Sequence, residues 1–274
     1  MTKKQERARA RRRWEKQQAK EARRDADRAR MQRVAAVVGV VVLVVGLFAV
    51  LGVMLGRDGD EPATASSAGP SPSAAASLPP GCEPAPPAPG TAAELELPDK
   101  AAAEGRTFEA TITTNCGDLV VRLDGAAAPQ AVASFLELAR QAYWKDSPCH
   151  RLTATESLKV LQCGDPTGTG GGDPGFGYGV ENAPADGSYP RGTLAMARTA
   201  DAEAGNGGQF FIVYGDTSLP DPDGYTVFGT VTSGLDIVDS VAAAGITPSD
   251  RGPTDGAPVA PISILSVAVT EEKS

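Results

Sequence analysis

The chain has 274 residues, of which 22% are charged and 5% aromatic, with one histidine, four cysteines and a formal net charge of −8. So little histidine excludes His-rich metal centres and leaves His150 as the only base that a Ser–His–Asp or Cys–His site could use. The net charge hides a division: residues 1–33 hold fourteen Lys/Arg against five Asp/Glu, and the remainder holds twelve against twenty-nine. Such asymmetry marks two environments.

Residues 1–33 carry no nucleic-acid-binding motif. They read as a solvated cytoplasmic tail beside anionic lipid headgroups, with no nucleic acid as partner. Residues 34–55, "VAAVVGVVVLVVGLFAVLGVML", contain no charge. At about 1.5 Å per residue such a run spans roughly 33 Å as a helix, enough for a hydrocarbon core. It is longer than the apolar core of a cleaved signal peptide, so a retained transmembrane helix is expected. The basic excess on its N-terminal side places the N-terminus in the cytoplasm and the rest outside the cell membrane. Residues 56–98 read as a Pro/Ala/Ser-rich linker, with ten of the chain's 22 prolines between Asp58 and Pro98. Residues 99–274 are long enough for one domain with its own core.

Cys82, Cys116, Cys149 and Cys163 all follow the apolar run. An even number in an oxidising compartment points to two disulfides with three possible connectivities. Cys149–Cys163 would close a hairpin and leave Cys82–Cys116. Strand parity opposes that pairing unless a bulge intervenes, since Cys149 shares a face with Arg151 while Cys163 opposes Gln162. No CxxC spacing supports a metal site.

Within the domain, "TFEATITTN" and "DLVVRL" are alternating strands joined by Asn115-Cys116-Gly117. A helix is expected from Pro129, with Val132, Phe135, Leu136, Ala139 and Tyr143 on one face. "HRL", "VLQC", "TLAMAR", "GQFFIVYG" and "YTVFGTV" read as further strands. "SGLDIVDSVAAAG" reads as a second helix, with Ser233 and Asp236 at capping-box spacing and Gly245 as its stop. "ISILSVAV" closes the domain as a strand whose alternation slips near Leu265. The expected fold class is mainly β, a closed antiparallel barrel or sandwich with two helices. "GGGDPG" matches G-x-G-x-x-G at Gly170, Gly172 and Gly175. No helix follows, however, and Asp173 would repel a phosphate, so the stretch reads as a surface loop.

Candidate chemistry is narrowed by subtraction. There is no G-x-S-x-G elbow and no ligand set for a metal, and no cofactor is expected. What remains is Arg151 on a strand, Gln162 on a strand, and Gln209 sharing a face with Phe211. Such a set holds and polarises a peptide backbone but cannot cleave it. His150 faces away from Arg151 and reads as a satisfied structural histidine.

The blocks "FEATITTNCGDLVVRL", "APQAVASFLELA", "CHRL", "LQCGDPTGTG", "YPRGTLAMAR", "GNGGQFFIVYG" and "YTVFGTVTSGLDIVDSV" resemble, in order, those of cyclophilin-type peptidyl-prolyl isomerases. The resemblance runs from about Thr107 to Val269, and the arrangement as a whole is similar to anchored actinobacterial members. It implies an eight-stranded antiparallel barrel capped by two helices, and isomerisation of X–Pro bonds in exported proteins without a cofactor. By resemblance Arg151 is the donor near the prolyl nitrogen, and Gln162 positions its guanidinium and the substrate backbone. Phe211 floors the proline pocket and Val160 walls it. The Ala197 backbone and Gln209 bind the peptide, and Tyr225 stands where the family often has histidine. The sequence departs from the family pattern in lacking a tryptophan near Tyr225 and in placing Lys159, by count back from Gln162, at an aromatic wall of the pocket, with Leu158 taking that place if the loop bulges. Lys159 favours the competing reading, a non-catalytic peptide-binding or scaffold domain that retains the groove.

Overall fold

The computed structural model describes residues 78–272. The expected basic tail (1–33), membrane helix (34–55) and first part of the linker lie outside the described residues. Among those described, no helix is long and apolar enough to cross a membrane.

Residues 78–98, expected as the end of a tether, instead lie along the domain. Glu83 N donates to Asn115 O, Gly90 N to Pro166 O and Leu95 N to Pro174 O. Cys82 is bonded to Cys116, and Ala92 and Leu95 pack against the main core. The prolines remove any strand or helix period, which is why sequence places the domain boundary late.

β1 (Thr107–Thr114) and β2 (Gly117–Asp124) form the expected hairpin, buried at alternate positions. Gly117, at φ +119°, sits where the chain turns back, a conformation open to glycine. Asn115 at the turn is buried. Its amide donates to Glu83 O and Pro261 O and accepts from Ser263 N, tying three segments together.

α1 (Pro129–Arg140) begins on Pro129, where the missing N–H costs nothing. The Glu181 carboxylate, distant in sequence, accepts from the N–H groups of Gln130 and Ala131 and so caps this helix end. Phe135 meets the rings of Trp144, Phe210 and Phe228 at 4.7, 6.0 and 5.7 Å. The chain continues through β3 (Ser147–Pro148), β4 (Arg151–Thr153), β5 (Val160–Cys163), β6 (Ser188–Tyr189), β7 (Thr193–Arg198) and β8 (Asn206–Val213). Then come β9 (Thr217–Ser218), β10 (Val227–Ser233), α2 (Leu235–Ala243), β11 (Ile246–Ser249), β12 (Gly252–Pro258) and β13 (Ser263–Glu271).

Eleven strands form one sheet in the order β11-β12-β4-β5-β8-β7-β10-β2-β1-β13-β3, and β6 pairs with β9. Every pairing is antiparallel. The sheet curls, since α1 touches β2, β8 and β13, strands spread along that order. The expected closed eight-stranded barrel is therefore corrected to a curled half-barrel, whose edge strands β11 and β3 do not pair with each other. All eight expected strands are present. The added ones are two-residue pieces or belong to the β11–β12 hairpin, where Pro248, Pro253, Pro258, Gly252 and Gly256 suppress any strand signal.

Two other local readings are refined. β1 pairs Thr113 with Ser266 but Thr114 with Ile264, so the ladder skips Leu265 and a bulge explains the phase slip. α2 has no capping box: Ser233 ends β10, and Gly234 at φ 84° is the N-cap without a side-chain bond.

Both faces of the central strands are apolar because there are two apolar clusters. Phe210, Ile212 and Leu161 point into the main core with α1. Phe211, Val213 and Val160 point the other way, into a smaller cluster with Tyr189 and Ala195. That second cluster underlies the site.

Candidate active site

Four adjacent strands bring the predicted residues into line. Arg151 on β4 is opposite Gln162 on β5, Gln162 is opposite Phe211 on β8, and Phe211 is opposite Ala195 on β7. Because paired residues on neighbouring strands share a face, this register aligns guanidinium, amide and phenyl ring across the sheet. They line a cavity of about 390 Å³ with Val160, Ala197, Leu158 and Tyr225. Ala197 lies at the register shift between Met196 and Arg198, which leaves it without an opposite residue on β8. Gln209 lines an adjoining cavity of about 250 Å³ that shares Gln162 and Ala197.

The polar groups form one continuous chain of hydrogen bonds. Arg151 Nη1 donates to Gln162 Oε1 at 3.1 Å, and Gln162 Nε2 donates to Gln209 Oε1 at 3.0 Å. Gln209 Nε2 donates to Gly170 O at 3.1 Å and Gly172 O at 3.0 Å. Both amide protons of Gln209 are therefore bonded within the protein. The glycine loop is itself held by the buried Asp165, whose carboxylate accepts from Gly170 N, Thr167 N and Thr167 Oγ1. Burial pushes the Asp165 carboxyl up, but the Thr167 and glycine bonds outweigh it and hold the acid below its usual range. Gly170 and Gly172 of the G-x-G-x-x-G match are thus held from below by the Asp165 carboxylate, while Gly175 N donates to Asp173.

At the other end, Arg151 Nε and Nη2 each lie 2.8 Å from an oxygen of Asp255, a side-on bidentate pair. This pair raises the Arg151 pKa and lowers that of Asp255, through hydrogen bonding first and charge second. Asp255 belongs to β12, which pairs with β4. It is the site residue that sequence reasoning missed, because nothing in "GPTDGAP" distinguishes its acid from the other surface carboxylates.

A chain of polar side chains on strands, ending at an arginine above an aromatic floor, holds no nucleophile and no metal ligand set. Among the described residues no cluster could hold a metal ion. The family model described as "Cyclophilin type peptidyl-prolyl cis-trans isomerase/CLD" matches residues 109–269, more than half of the chain. The chain belongs to the cyclophilin family. It is 39% identical over 199 residues to "Probable peptidyl-prolyl cis-trans isomerase B" of Mycobacterium tuberculosis, covering 66% of this chain and 62% of that protein. It is 41% identical over 173 residues to the protein of the same name from Mycobacterium leprae, covering 59% and 56%. A Helicobacter pylori "Peptidyl-prolyl cis-trans isomerase" is 39% identical over 147 residues, covering 53% and 86%. The chain thus spans less than two thirds of the length of the mycobacterial relatives.

In this cyclophilin the cavity wall differs from the sequence count. Leu158, not Lys159, lines the cavity. Lys159 N donates to Thr217 Oγ1, and the aliphatic stem of Lys159 packs over Gly215, where even a Cβ would lie 2.6 Å from Lys159 Cδ. The physical reason is strand parity: Leu158, Val160 and Gln162 share one face, and Lys159 takes the other. The Tyr225 ring stands edge-on to Phe211 at 5.7 Å and to Tyr189 at 6.3 Å. The Arg198 guanidinium lies 4.9 Å from the Tyr225 ring centre and pairs with Asp221 at 2.6 Å. His150, half-buried, also lines the cavity. Contrary to the expectation from parity, it does not face away from Arg151, since the backbone leaves strand geometry before Arg151 and both residues line the same cavity. Burial pushes its pKa down, so the ring is neutral at pH 7.

The same break in strand geometry reconciles the disulfides. Cys82–Cys116 and Cys149–Cys163 are both formed. Cys149 precedes β4, so the parity objection does not apply to it. No free cysteine remains.

Proposed function

We propose that the domain is a peptidyl-prolyl cis-trans isomerase acting on X–Pro bonds of exported proteins, held at the cell membrane by residues 34–55. The observation that carries this reading is the placement of Arg151 beside the Phe211-floored cavity, with part of its guanidinium unspent. A guanidinium has five N–H donors; Asp255 and Gln162 take three, and two remain. An X–Pro bond resists rotation by about 18–20 kcal/mol because of amide resonance. A prolyl ring on Phe211 would bring its nitrogen toward those two donors. Hydrogen bonding to that nitrogen as it becomes pyramidal localises its lone pair and weakens the resonance, so the transition state is held more tightly than the ground state. Val160, Leu158 and Tyr225 bound the ring, and the Ala197 backbone, at the β7 bulge with no opposite residue on β8, would bond the peptide. Gln209 acts behind Gln162, since its donors are already bonded.

The acidic exported domain and basic tail support the topology, through the same charge asymmetry that orients single-span proteins. The peptide-binding reading without turnover rested on Lys159, and it loses that support with Lys159 on the opposite face.

The test is isomerisation of an Ala-Pro peptide followed by exchange NMR, using the full-length chain and its Arg151→Ala variant. The expected result is at least a tenfold lower kcat in the variant, about 1.4 kcal/mol of barrier. Wild-type kcat in the variant would refute the arginine mechanism, and an inactive wild type would refute the isomerase reading.

A further inference from the structure

Asp255 reaches the site on a hairpin that adds no residue to the Phe211 cluster, although its Arg251, Gly256 and Ala257 line the cavity. β12 pairs with β4 at only two positions, Asp255↔Thr153 and Gly256↔Leu152. That short ladder is enough to set one carboxylate beside the guanidinium. Both Asp255 oxygens are engaged by Arg151, at 2.8 Å each, with side-chain exposures of 16% for Asp255 and 27% for Arg151. Arg251, on the same hairpin, approaches the acid only to 3.8 Å and is 62% exposed.

The direction of the bond matters more than its charge. Because Nε is one of the two bonded nitrogens, the carboxylate fixes rotation about the Cδ–Nε bond as well as the position of the group. Gln162 takes one Nη1 proton from the other side. The plane of the guanidinium is then set by three bonds from two elements, and the two remaining donors, one on Nη1 and one on Nη2, are confined to that plane. An arginine held by Gln162 alone could swing about that single bond, and its free donors would sweep an arc. A donor that must meet a nitrogen only as it becomes pyramidal loses effectiveness steeply with misorientation.

We propose that Asp255 is a positioning residue for isomerisation, clamping Arg151 side-on so that its two free N–H donors stay aimed at the prolyl nitrogen. The role rests on the isomerase reading above. It differs from a structural ion pair in one respect: Asp255 acts only through Arg151, so its contribution to turnover vanishes once Arg151 is gone.

A double-mutant cycle on kcat reads that difference. The full-length chain is measured by exchange NMR with an Ala-Pro peptide as wild type, Asp255→Asn, Asp255→Ala, Arg151→Ala and the Arg151→Ala/Asp255→Ala double variant. Asn has the shape of Asp but cannot accept both bonds, which keeps one variant folded should the Ala variant fail. The expected result is a roughly five- to tenfold fall in kcat for either Asp255 variant, with KM within about twofold, as for lost transition-state orientation. In the Arg151→Ala background, removing Asp255 should change kcat by less than about twofold. The Arg151 Nε–H resonance, slow to exchange in the wild type, should exchange quickly in Asp255→Asn. Wild-type kcat in Asp255→Asn, or an equal loss with and without Arg151, overturns the proposal while leaving the isomerase reading intact. An inactive wild-type chain overturns both.

Discussion

The Cys149–Cys163 bridge should stabilise the domain without taking part in turnover, and the two effects can be measured apart. The bridge joins residues 14 apart in sequence, and the loop that it closes carries Arg151 and Gln162. Cys149 and Cys163 are buried, at 4% and 2% exposure, so Cys149→Ala/Cys163→Ala removes two sulfurs and adds no polar group to the interior. A closed loop of this length restricts the unfolded chain by about 3 kcal/mol. The Cys82–Cys116 bridge, with a separation of 34, closes a loop that does not overlap the first. Its contribution of about 4 kcal/mol should therefore add independently. With a urea dependence of roughly 2–3 kcal/mol per molar, removing Cys149–Cys163 should lower the unfolding midpoint by about 1–1.5 M.

Turnover should hold within about twofold. Arg151 is oriented by Asp255, Gln162 and the β4–β5 ladder, all of which persist without the bridge. Urea titration followed by circular dichroism, with kcat measured on the same samples at zero urea, checks both statements. A midpoint shift under about 0.3 M would refute the loop-entropy argument. A tenfold loss of kcat in a folded variant would show that the bridge itself sets the arginine.

Lys159→Ala should leave KM for a proline peptide unchanged within twofold, whereas Leu158→Ala should raise it severalfold by removing apolar wall, roughly 1–2 kcal/mol; peptide titration of both variants checks the assignment of faces. Stability should fall on acidification in two stages with different causes, followed through urea midpoints from pH 8 to 3. Burial lowers the His150 pKa, so below about pH 6.5 the unfolded chain takes up this proton first and stability declines; His150→Gln should flatten that stage. The Arg151 pairing lowers the Asp255 pKa, so its contribution is present above the unfolded carboxylate value and lost as pH falls through the lower folded one; Asp255→Asn should remove that second stage.

Sequence pattern made the strands legible wherever alternation ran for four residues or more, as in β1, β2 and β13, because one-sided burial requires it. Phe210 and Phe211 are a case where pattern needed a second cluster to make sense: a strand apolar on both faces implies cover on both, and the site is built on the lesser cover. Gln162 and Phe211 were placed correctly relative to each other because their strands are neighbours. Lys159 was misplaced because the count back from Gln162 is a step of three, and an odd step along a strand lands on the opposite face. Asp255 was illegible for a different reason. It lies 104 residues from Arg151 on a hairpin full of proline and glycine, and only tertiary pairing of β12 with β4 selects it among the domain's many carboxylates.

The glutamine at the head of "QFFIV" has a sharper consequence. Each glutamine amide in the site has a donor end and an acceptor end, and the hydrogen-bond chain has one polarity that satisfies all of them. The carbonyls of Gly170 and Gly172 accept only, so they fix Gln209 Nε2 toward the loop. Gln209 Oε1 must then face Gln162 Nε2, and Gln162 Oε1 must face Arg151. Replacing Gln209 by Glu keeps the shape and leaves Gln162 its acceptor, but sets a carboxylate oxygen against two carbonyls. Partial burial and those carbonyls both disfavour the charged form, so the new carboxyl should titrate well above the usual value of about 4.3. At pH 8 the ionised variant should lose the loop contact and several-fold in kcat. As the acid protonates on titration toward pH 5, one donor returns and kcat should rise, though not fully, since an acid has one proton where the amide has two. The wild type should show no such rise across the same range. A Gln209→Glu protein whose kcat matches wild type at every pH would mean that the loop does not orient Gln162, and that the arginine is held without help from that side.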